Sequence, residues 1–416
     1  MRSSFFICLC LIVAGLKAAP LSDDSLDRLD DALTWSGEGD QFRTRLSGSL
    51  ELEGYHFDST PIGLVHADER NLLNPRFVLF LDAQAGARFY FFAQSRMDRG
   101  FDPGDGGAKL RLDEYALRFT PFADGRLNFQ IGKFSTVVGN WTGRHLAWDN
   151  PFITAPLPYE NFTGIFDEVA ANSPATLLRW AHVTPSIGPG SSYVDQYRLP
   201  ILWGPSYTSG AAVSGGIGKF SYAAEFKNAS LSSRPDNWDA SQVQWQNPTI
   251  SGRIGYQPDE SWKFGISFSS GTYLNDSARP TLAPGTDFGD YREIVFGQDV
   301  SFAWHHFQFW AEAFEARFQI PRVGDARTFA YYLEAKYKFT PQFFGAVRWN
   351  QQLYGQIADG LGSSVKWGEN TWRIDVGPSY RFSSHTELKL QYSLQSGGVS
   401  PQNYAQTLAT QFVLRF

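Results

Sequence analysis

The sequence is poor in cysteine, with two in 416 residues, and both of them, Cys8 and Cys10, lie near its start. The same region has a basic residue at Arg2, then an apolar run, then a small residue at Ala18. This order predicts a secretory signal peptide over residues 1–18, cleaved after Ala18. The mature chain would then contain no cysteine, which excludes disulfides and thiolate metal sites. Export without disulfides is typical of a bacterial envelope protein.

Long apolar runs are missing beyond the predicted signal peptide. The mean hydropathy is −0.29, and no later stretch approaches the roughly 20 apolar residues that a transmembrane helix needs. A helical membrane protein is therefore excluded. Aromatic residues nevertheless make up 16% of the chain, including 13 Trp and 18 Tyr. A hydrophilic average combined with many aromatics is typical of a β-barrel that has a polar lumen and aromatic girdles.

An excess of basic residues is absent as well. The chain has 36 Lys and Arg against 42 Asp and Glu, and loss of Arg2 and Lys17 with the signal peptide leaves 34 against 42, a formal charge of −8. This balance argues against a nucleic-acid partner. If the total charge acted alone, it would favour a mild cation preference in a pore.

Catalytic and cofactor motifs are not found in the sequence. There is no G-x-S-x-G element, and the Gly-rich stretch at 214–220 has Phe220 where a phosphate-binding loop needs Ser or Thr after its Lys. The seven histidines form no metal-binding pattern. We predict that the protein is not an enzyme and holds no cofactor or metal.

What the sequence does contain is alternation with a period of two. In the last segment Leu408, Phe412, Leu414 and Phe416 share one face, whereas Arg415 lies on the other. The two preceding segments alternate in the same way. They run to about 9–11 residues, the length of a tilted strand that crosses a bilayer, and are longer than the usual strand of a soluble domain.

Seven pairs of such segments, joined by turns of two to five residues, follow one another along the chain. The predicted pairs are 73–84 with 88–98, 108–120 with 126–135, 208–217 with 220–228, 249–257 with 262–273, 291–304 with 307–319, 328–339 with 342–354, and 371–382 with 386–396. Longer stretches rich in Gly, Pro, Asn and Asp separate the pairs. Alternating short and long connections are the topology of an outer-membrane barrel.

A first strand at 42–57 and a last strand at 406–416 bring the number of strands to sixteen and let the two chain ends pair. The predicted fold is therefore all-β, a transmembrane antiparallel up-and-down β-barrel over residues 42–416. An additional wall hairpin formed by 175–183 and 198–205 would raise the number to eighteen, and this alternative is kept.

Three segments need a separate interpretation. Residues 19–41 form a short acidic periplasmic segment before the barrel, with leucines at helical spacing. The alternation is broken in 108–120, and in 307–319 neither face is clean. We predict β-bulges at both places.

These features together resemble the Gram-negative outer-membrane porins, both general and substrate-selective. The resemblance covers the signal peptide, the sixteen alternating strands, a long third loop at 136–207 and the terminal Phe416. It implies a channel in the bacterial outer membrane through which small hydrophilic solutes and ions diffuse passively. It further implies contact with outer-membrane lipid, association as a homotrimer, and recognition by the barrel-assembly machinery. The C-terminal face is then the membrane-insertion signal: Leu408, Phe412, Leu414 and Phe416.

The resemblance also implies that the third loop folds inward and narrows the pore. The loop acids expected at this constriction are Asp149, Glu160, Asp167 and Glu168. The bases expected to face them from the wall are Arg43, Arg45, Arg96, Arg111, Arg373, Arg381 and Arg415. Opposed charges across a narrow pore would create a transverse field that orients dipolar solutes and disfavours apolar ones.

Two alternatives concern what the channel admits. The loop aromatics Trp141, Trp148 and Tyr159 lie close in sequence to hydrogen-bonding groups, a combination that suits a sugar or oligosaccharide channel. The same aromatics could equally anchor the loop against the wall. A plugged surface receptor or adhesin barrel is the other alternative, because a filled lumen has the same wall pattern.

Overall fold

The computed structural model describes residues 23–37, 41–59, 63–65, 67, 69–99, 107–181, 198–235, 245–397 and 404–416. The signal peptide predicted at 1–18 lies outside these residues. The α-helices that are described are α1 (Asp23–Ala32), α2 (Leu157–Glu160) and α3 (Pro174–Ala181). None of these helices has the length and apolar character needed to cross a membrane.

The described residues form nineteen strands, numbered here in chain order. They are β1 Thr34–Ser36, β2 Phe42–Phe57, β3 Asn71–Ala85, β4 Phe89–Asp98, β5 Lys109–Phe119, β6 Asn128–Phe134, β7 Thr208–Ile217, β8 Phe220–Lys227, β9 Thr249–Tyr256, β10 Trp262–Thr272, β11 Arg292–Trp304, β12 Phe307–Ile320, β13 Gly324–Lys338, β14 Phe343–Tyr354, β15 Gln356–Ala358, β16 Ser364–Lys366, β17 Thr371–Arg381, β18 Thr386–Ser396 and β19 Ala405–Arg415.

Sixteen of these strands, β2–β14 and β17–β19, pair with their neighbours around a closed antiparallel barrel. The last strand pairs with the first strand of the wall, with Gln411 opposite Glu53 and Leu414 opposite Leu50. The short strands β15 and β16 pair with each other in a separate two-stranded sheet and are not part of the wall. Closure pairs both edges of every wall strand, which is what a hydrocarbon environment requires. The predicted sixteen-stranded barrel is confirmed.

The alternative with eighteen strands is wrong. Most of 175–183 belongs to α3, an amphipathic helix that begins at Pro174, a residue whose fixed φ favours the first helical position. Within 198–205, only Arg198 forms a bridge, an isolated one to Phe166. The described residues of both segments add no strand to the wall.

One predicted bulge is confirmed and the other is wrong. The pairing of β4 with β5 shifts by one residue, so that Gln94 is opposite Glu114 but Ser95 is opposite Leu112. The pairing of β12 is regular on both sides. Its two glutamates simply lie on opposite faces: Glu312 is buried in the lumen and Glu315 is exposed on the outside. The alternation of this strand is irregular because its outer face carries a charged residue, Glu315.

All seven predicted hairpins are present, but one connection predicted to be long is short. Only residues 321–323 join β12 to β13, because β13 begins at Gly324 rather than at residue 328. Alternation continues through this added part, since Ala326 and Thr328 are buried while Arg327 is exposed.

The two faces of the wall differ as the alternation predicts. On β19, Leu408 is 52% exposed on the outer face, whereas Val413 is 1% exposed on the inner face. Phe412 and Leu414 lie on the same outer face as Leu408. The outer face is therefore apolar and the inner face carries most of the charged side chains.

The segment before the barrel packs at the end of the wall where the short turns lie. In α1, Leu26 is buried and Asp27 accepts from His385 Nε2 at 2.9 Å. β1 pairs with the start of β2, with Trp35 opposite Thr44. This start of β2 extends beyond the end of β19, so β1 supplies the backbone partner that β19 lacks there.

Candidate pore and the loop that enters it

The third long connection, residues 135–207 between β6 and β7, is called the third loop below. Its described parts, 135–181 and 198–207, pack inside the barrel. Tyr159 is fully buried and meets Phe314 of the wall edge-on, with ring centroids 5.7 Å apart. Leu177 and Trp203 belong to the same buried apolar cluster. The predicted inward-folding third loop is confirmed.

Wall glutamates bind backbone N–H groups at the start of the third loop. Glu312 on β12 accepts from Trp141 N at 3.1 Å and from the Tyr159 hydroxyl at 2.7 Å. A third bond to Glu312 comes from Asn140 N. Glu312 Oε1 accepts from the two backbone N–H groups and Oε2 accepts from the hydroxyl, so both carboxyl oxygens are used. The first part of the loop is thus fixed by acids.

A second glutamate acts in the same way nearby. Glu225 on β8 accepts from the Thr136 hydroxyl at 2.6 Å and from Val137 N at 3.2 Å. It also lies 3.5 Å from Lys227 Nζ. The two glutamates hold the same stretch of loop from different strands.

Basic wall residues bind the carbonyl groups of the middle of the loop. Arg348 on β14 donates to the carbonyls of Thr154 at 3.1 Å and Ala155 at 3.2 Å. Lys389 on β18 donates to Asn150 O at 2.6 Å. Carbonyl oxygens are the negative ends of peptide dipoles and therefore attract cationic side chains. Backbone N–H groups are the positive ends and bind carboxyl oxygens. Acids on β8 and β12 thus bind N–H groups at the start of the loop, and bases on β14 and β18 bind carbonyl groups in its middle.

Of the predicted loop acids, Glu160 is the one that pairs with a predicted wall arginine. It forms a buried ion pair with Arg373 on β17, which also lies 3.0 Å from Asp375. Both members of the pair line a cleft of about 40 Å³. The pair joins the third loop to the wall and does not line the chamber described below.

The other three loop acids lie elsewhere. Asp167 pairs with Arg234 of the fourth long connection at 3.3 Å, not with the wall. Burial raises the pKa of Asp167 to about 6, and the neighbouring Arg234 offsets part of this rise. Asp149 is exposed and Glu168 is partly exposed. Neither Asp149 nor Glu168 forms an ion pair within the part of the chain described here.

Most of the predicted wall arginines pair with acids of the wall. Arg96 lies 3.0 Å from Asp113, and Arg111 lies 2.6 Å from Asp98. Arg381 pairs with its cross-strand neighbour Glu387 at 2.6 Å. These pairs form charge ladders along the lumen face.

The remaining three arginines lie towards the end of the wall that has the short turns. Arg45 pairs with Asp30 of α1 at 2.9 Å, and Arg43 is exposed. Arg415 donates to Ser384 O at 2.8 Å. The structure therefore does not bring the seven arginines together opposite the loop.

The loop aromatics differ in exposure. Trp141 and Tyr159 are buried and pack on each other with ring centroids 4.6 Å apart. Trp148 is partly exposed and lies between two guanidinium groups, 4.5 Å from that of Arg381 and 3.8 Å from that of Arg415. Of these three rings, only that of Trp148 has a face near solvent.

His145 of the third loop is held in the neutral form. Burial lowers its pKa to about 4. Its Nδ1 lies 2.6 Å from Thr142 O, and its Nε2 lies 2.5 Å from the Tyr207 hydroxyl. A neutral ring that donates through Nδ1 and accepts through Nε2 satisfies both contacts.

Sequence reasoning missed two central arginines. Arg76 on β3 contacts Glu51, Glu53 and Asp98 at 2.9–3.1 Å. Arg348 is fully buried between loop carbonyls and wall acids. Both lie on polar faces of predicted strands, so strict alternation over every strand would have found them.

An open space in the lumen lies beside the start of the third loop. A chamber of about 600 Å³ is bounded by the start of the third loop and by strands between β6 and β11. Most of its lining is small or polar, including Ser135, Asn140 and Ser301. Its ionic residues are Arg253, Lys263 and Asp299. None of these three belongs to the predicted site.

An ion pair crosses one side of this chamber. Arg253 on β9 lies 2.6 Å from Asp299 on β11, and the pair spans the intervening β10. The pair passes over Gly265, where any side chain would collide with both partners. Lys263 is exposed and has no ion-pair partner within the described ranges. Two cations against one anion leave the chamber locally positive.

The predicted insertion face is located on the outside of the wall at the closing seam. Phe416 exchanges backbone hydrogen bonds with Gly48, each of 3.0 Å. A Cβ added at Gly48 would lie 2.7 Å from the Phe416 ring. The terminal aromatic thus packs over a glycine of the first wall strand.

Comparisons with known proteins bear on the fold. No protein-family model matches the chain, and no curated protein matches it in sequence. Several solved structures do match. The outer membrane channel DcaP of Acinetobacter baumannii has a TM-score of 0.58 at 8% identity, over 92% of this chain and 99% of that one.

Two further matches cover nearly as much. The anion-selective porin from Comamonas acidovorans has a TM-score of 0.53 at 11% identity, over 90% of this chain and 100% of that one. OmpF of Salmonella typhi, in complex with daunomycin, has a TM-score of 0.54 at 13% identity, over 92% and 100%. Together with the closed barrel and its inward third loop, these matches show that the chain has the fold of the outer-membrane porins.

Proposed function

We propose that the protein is a channel of the bacterial outer membrane through which small hydrophilic solutes diffuse passively. The observation that carries this proposal is the chamber of about 600 Å³, lined by small and polar side chains, inside a barrel with an apolar outer face. An apolar band outside and a polar space inside are what a water-filled passage through lipid requires.

The narrow part of the passage is where the chamber meets the third loop. Asn140 and Thr142 of the loop line this end of the chamber. The loop here is bonded to Glu312, so the passage has a fixed edge and its width depends on that anchor. Trp141 and Tyr159 are covered by protein, and we therefore assign them no role in contacting the solute.

The test is single-channel conductance of residues 19–416, refolded and inserted in a planar bilayer. This chain contains no cysteine, so Ser301→Cys places a single thiol in the chamber. A charged thiol reagent should lower the conductance of this variant. The same reagent on Ser363→Cys, an exposed position in the seventh long connection, is the control and should leave the conductance unchanged.

Two results would contradict the proposal. One is the absence of current from a preparation whose heat-modifiable migration shows a folded barrel. The other is a current that does not respond to modification at Ser301, which would mean that ions bypass the chamber.

A plugged receptor or adhesin barrel is the second candidate, and one observation favours it. The apolar cluster that contains the third loop also includes Leu231, Leu274 and Trp367 from three other long connections. Four connections that share a core form a firm cover over part of the lumen. A folded, inserted barrel without current would support this candidate.

We infer that Leu408, Phe412, Leu414 and Phe416 act as the insertion signal read by the assembly machinery, since they lie on the outer face at the seam where the first and last wall strands pair. We also infer, from the resemblance to porins, association as a trimer, and cross-linking in membranes would test it.

A further inference from the structure

One part of the lumen wall is lined mainly by small side chains. It surrounds Arg253 on β9, which lies directly opposite Ala223 on β8 and Ser267 on β10. The next inward positions towards the short turns are Gly255 on β9 and Gly265 on β10, which are opposite each other. These four residues are called the small-residue wall. The chamber beside them is wide because no bulky side chain projects from these positions.

The side chain of Arg253 lies flat against the small-residue wall. It crosses β10 to reach Asp299 on β11, where Nε donates to Oδ2 at 3.1 Å and Nη2 donates to Oδ1 at 2.6 Å. A Cβ at Gly265 would collide with both partners of this pair, and a Cβ at Gly255 would lie 3.3 Å from Nη1 of Arg253. Glycine within a strand often marks such a close approach. The two glycines therefore make room for the arginine along the wall.

Asp299 is the group that holds Arg253 in this position. Both side-chain hydrogen bonds of Arg253 within the described residues go to this carboxylate, and a paired contact of this kind is directional as well as strong. Asn140, at the edge of the passage, points its Nδ2 towards Oδ1 of Asp299 at 3.4 Å. Asp299 thus joins the arginine to the part of the third loop that bounds the chamber.

A second acid lies on the opposite side of Arg253. Glu225 on β8 is diagonal to it, two positions beyond Ala223. The carboxylate of Glu225 accepts from Val137 N at 3.2 Å, at the start of the third loop. Val137 and Ala223 both line the chamber. A line from Arg253 to Glu225 therefore leads away from Asp299 and towards the third loop.

We propose that Arg253 is the residue that sets the size limit of the passage and that Asp299 is its positioning residue. The proposal rests on the channel proposed above. While Asp299 holds Arg253 along the small-residue wall, the chamber keeps its width. An arginine released from Asp299 keeps its charge and turns towards Glu225, because an unpaired charge in a partly buried place is costly. Its side chain then narrows the chamber, and larger solutes are excluded first.

The test is the swelling of liposomes that contain refolded residues 19–416, with glucose and sucrose as the two probes. Both sugars are uncharged, so their rates of entry report the width of the passage and not its charge. Asp299→Asn should slow sucrose more than glucose and thus lower the ratio of the two rates. Addition of Arg253→Ser to the same chain should restore the wild-type ratio, because it removes the side chain that narrows the chamber.

A second variant tests the same arrangement without removing a charge. Gly265→Ala should push Arg253 off the wall and lower the sucrose-to-glucose ratio, and Arg253→Ser should again restore it. Its matched control is Gly252→Ala, where a Cβ would meet Ala223 O at an ordinary contact distance of 3.5 Å. The control for loss of a carboxylate is Asp325→Asn, since Asp325 pairs with an arginine on the outer face of the wall. Both controls should match the wild type.

Three results would overturn the proposal, each in barrels whose heat-modifiable migration shows that they are folded. An unchanged ratio in Asp299→Asn would mean that Arg253 does not set the width, and Gly265→Ala decides this question if Asp299→Asn does not fold. A lowered ratio that Arg253→Ser fails to restore would mean that the ion pair only stabilises the wall. Conductance without entry of either sugar would mean that the passage is narrow even with Arg253 held in place.

The channel and the role of Arg253 are separated by the wild type. A folded wild-type barrel that neither conducts nor admits a sugar contradicts the channel itself. A wild-type barrel that admits both sugars, beside variants that admit them in the same ratio, contradicts only the role of Arg253.

Discussion

Replacement of Glu312 by Ala should free the start of the third loop and widen the passage. The carboxylate accepts from Trp141 N at 3.1 Å, from the Tyr159 hydroxyl at 2.7 Å, and from Asn140 N. The net contribution of a hydrogen bond, measured against water, is about 1 kcal/mol. Loss of three such bonds should therefore cost about 3 kcal/mol in loop docking. This corresponds to a roughly hundredfold larger population of the displaced loop.

The measurement is single-channel recording of the Glu312→Ala variant beside a matched control, Glu315→Ala, on the outer face of the same strand. The Glu312 variant should show larger or noisier steps, and the control should match the wild type. Glu312→Gln, which keeps an acceptor oxygen, should lie between them. Steps of unchanged size and noise from a folded Glu312→Ala barrel would refute the role of this anchor.

Three further predictions concern the seam, pH and ion preference. Gly48→Val should lower the thermal stability of the folded barrel, measured by heat-modifiable migration, because a Cβ there would lie 2.7 Å from the Phe416 ring; unchanged stability would contradict the packing at the seam. The loop segment that contains Asp167 should dock more firmly as the pH falls from 7 to 4. Burial in the docked state raises the pKa of Asp167 from 3.8 to about 6, so the docked state binds the proton more tightly than the displaced state does. Loss of current over that pH range in the wild type, but not in Asp167→Asn, would support this. Lys263→Glu should move the reversal potential in a salt gradient towards cations, and no movement would place ion selection outside the chamber.

The wall of this barrel could be predicted from sequence because period-two alternation depends only on each strand and its two environments. Lipid outside and water inside impose the same pattern on every strand. The seven hairpins followed from turn residues, which act locally. Prediction failed at 175–183, where a short apolar run fits a helix as well as a strand. Prediction also placed the start of β13 too late. The strand begins at Gly324, and its first outward side chains, Asp325 and Arg327, are charged, so they do not show the apolar outer face used to recognise a strand.

The site was harder to predict because its contacts join distant residues. Glu160 and Arg373 are 213 positions apart, and nothing local to either residue indicates that they meet. The alternation identifies the lumen face of Arg253, Lys263 and Asp299. It does not indicate which side of the lumen the third loop leaves open, since that depends on the path of the whole loop.

The net charge of the chain is a poor guide to its ion preference, because acidic side chains in the lumen are buried in contacts with the loop and with wall arginines. Glu312 is committed to donors of the loop, and Asp375 lies buried between Arg348 and Arg373. Acids that are buried and bonded in this way do not present their charge to a passing ion. In the chamber, by contrast, Lys263 is exposed. The local excess of one positive charge therefore predicts an anion preference for a chain whose total charge is negative, and the sign of the wild-type reversal potential distinguishes the two.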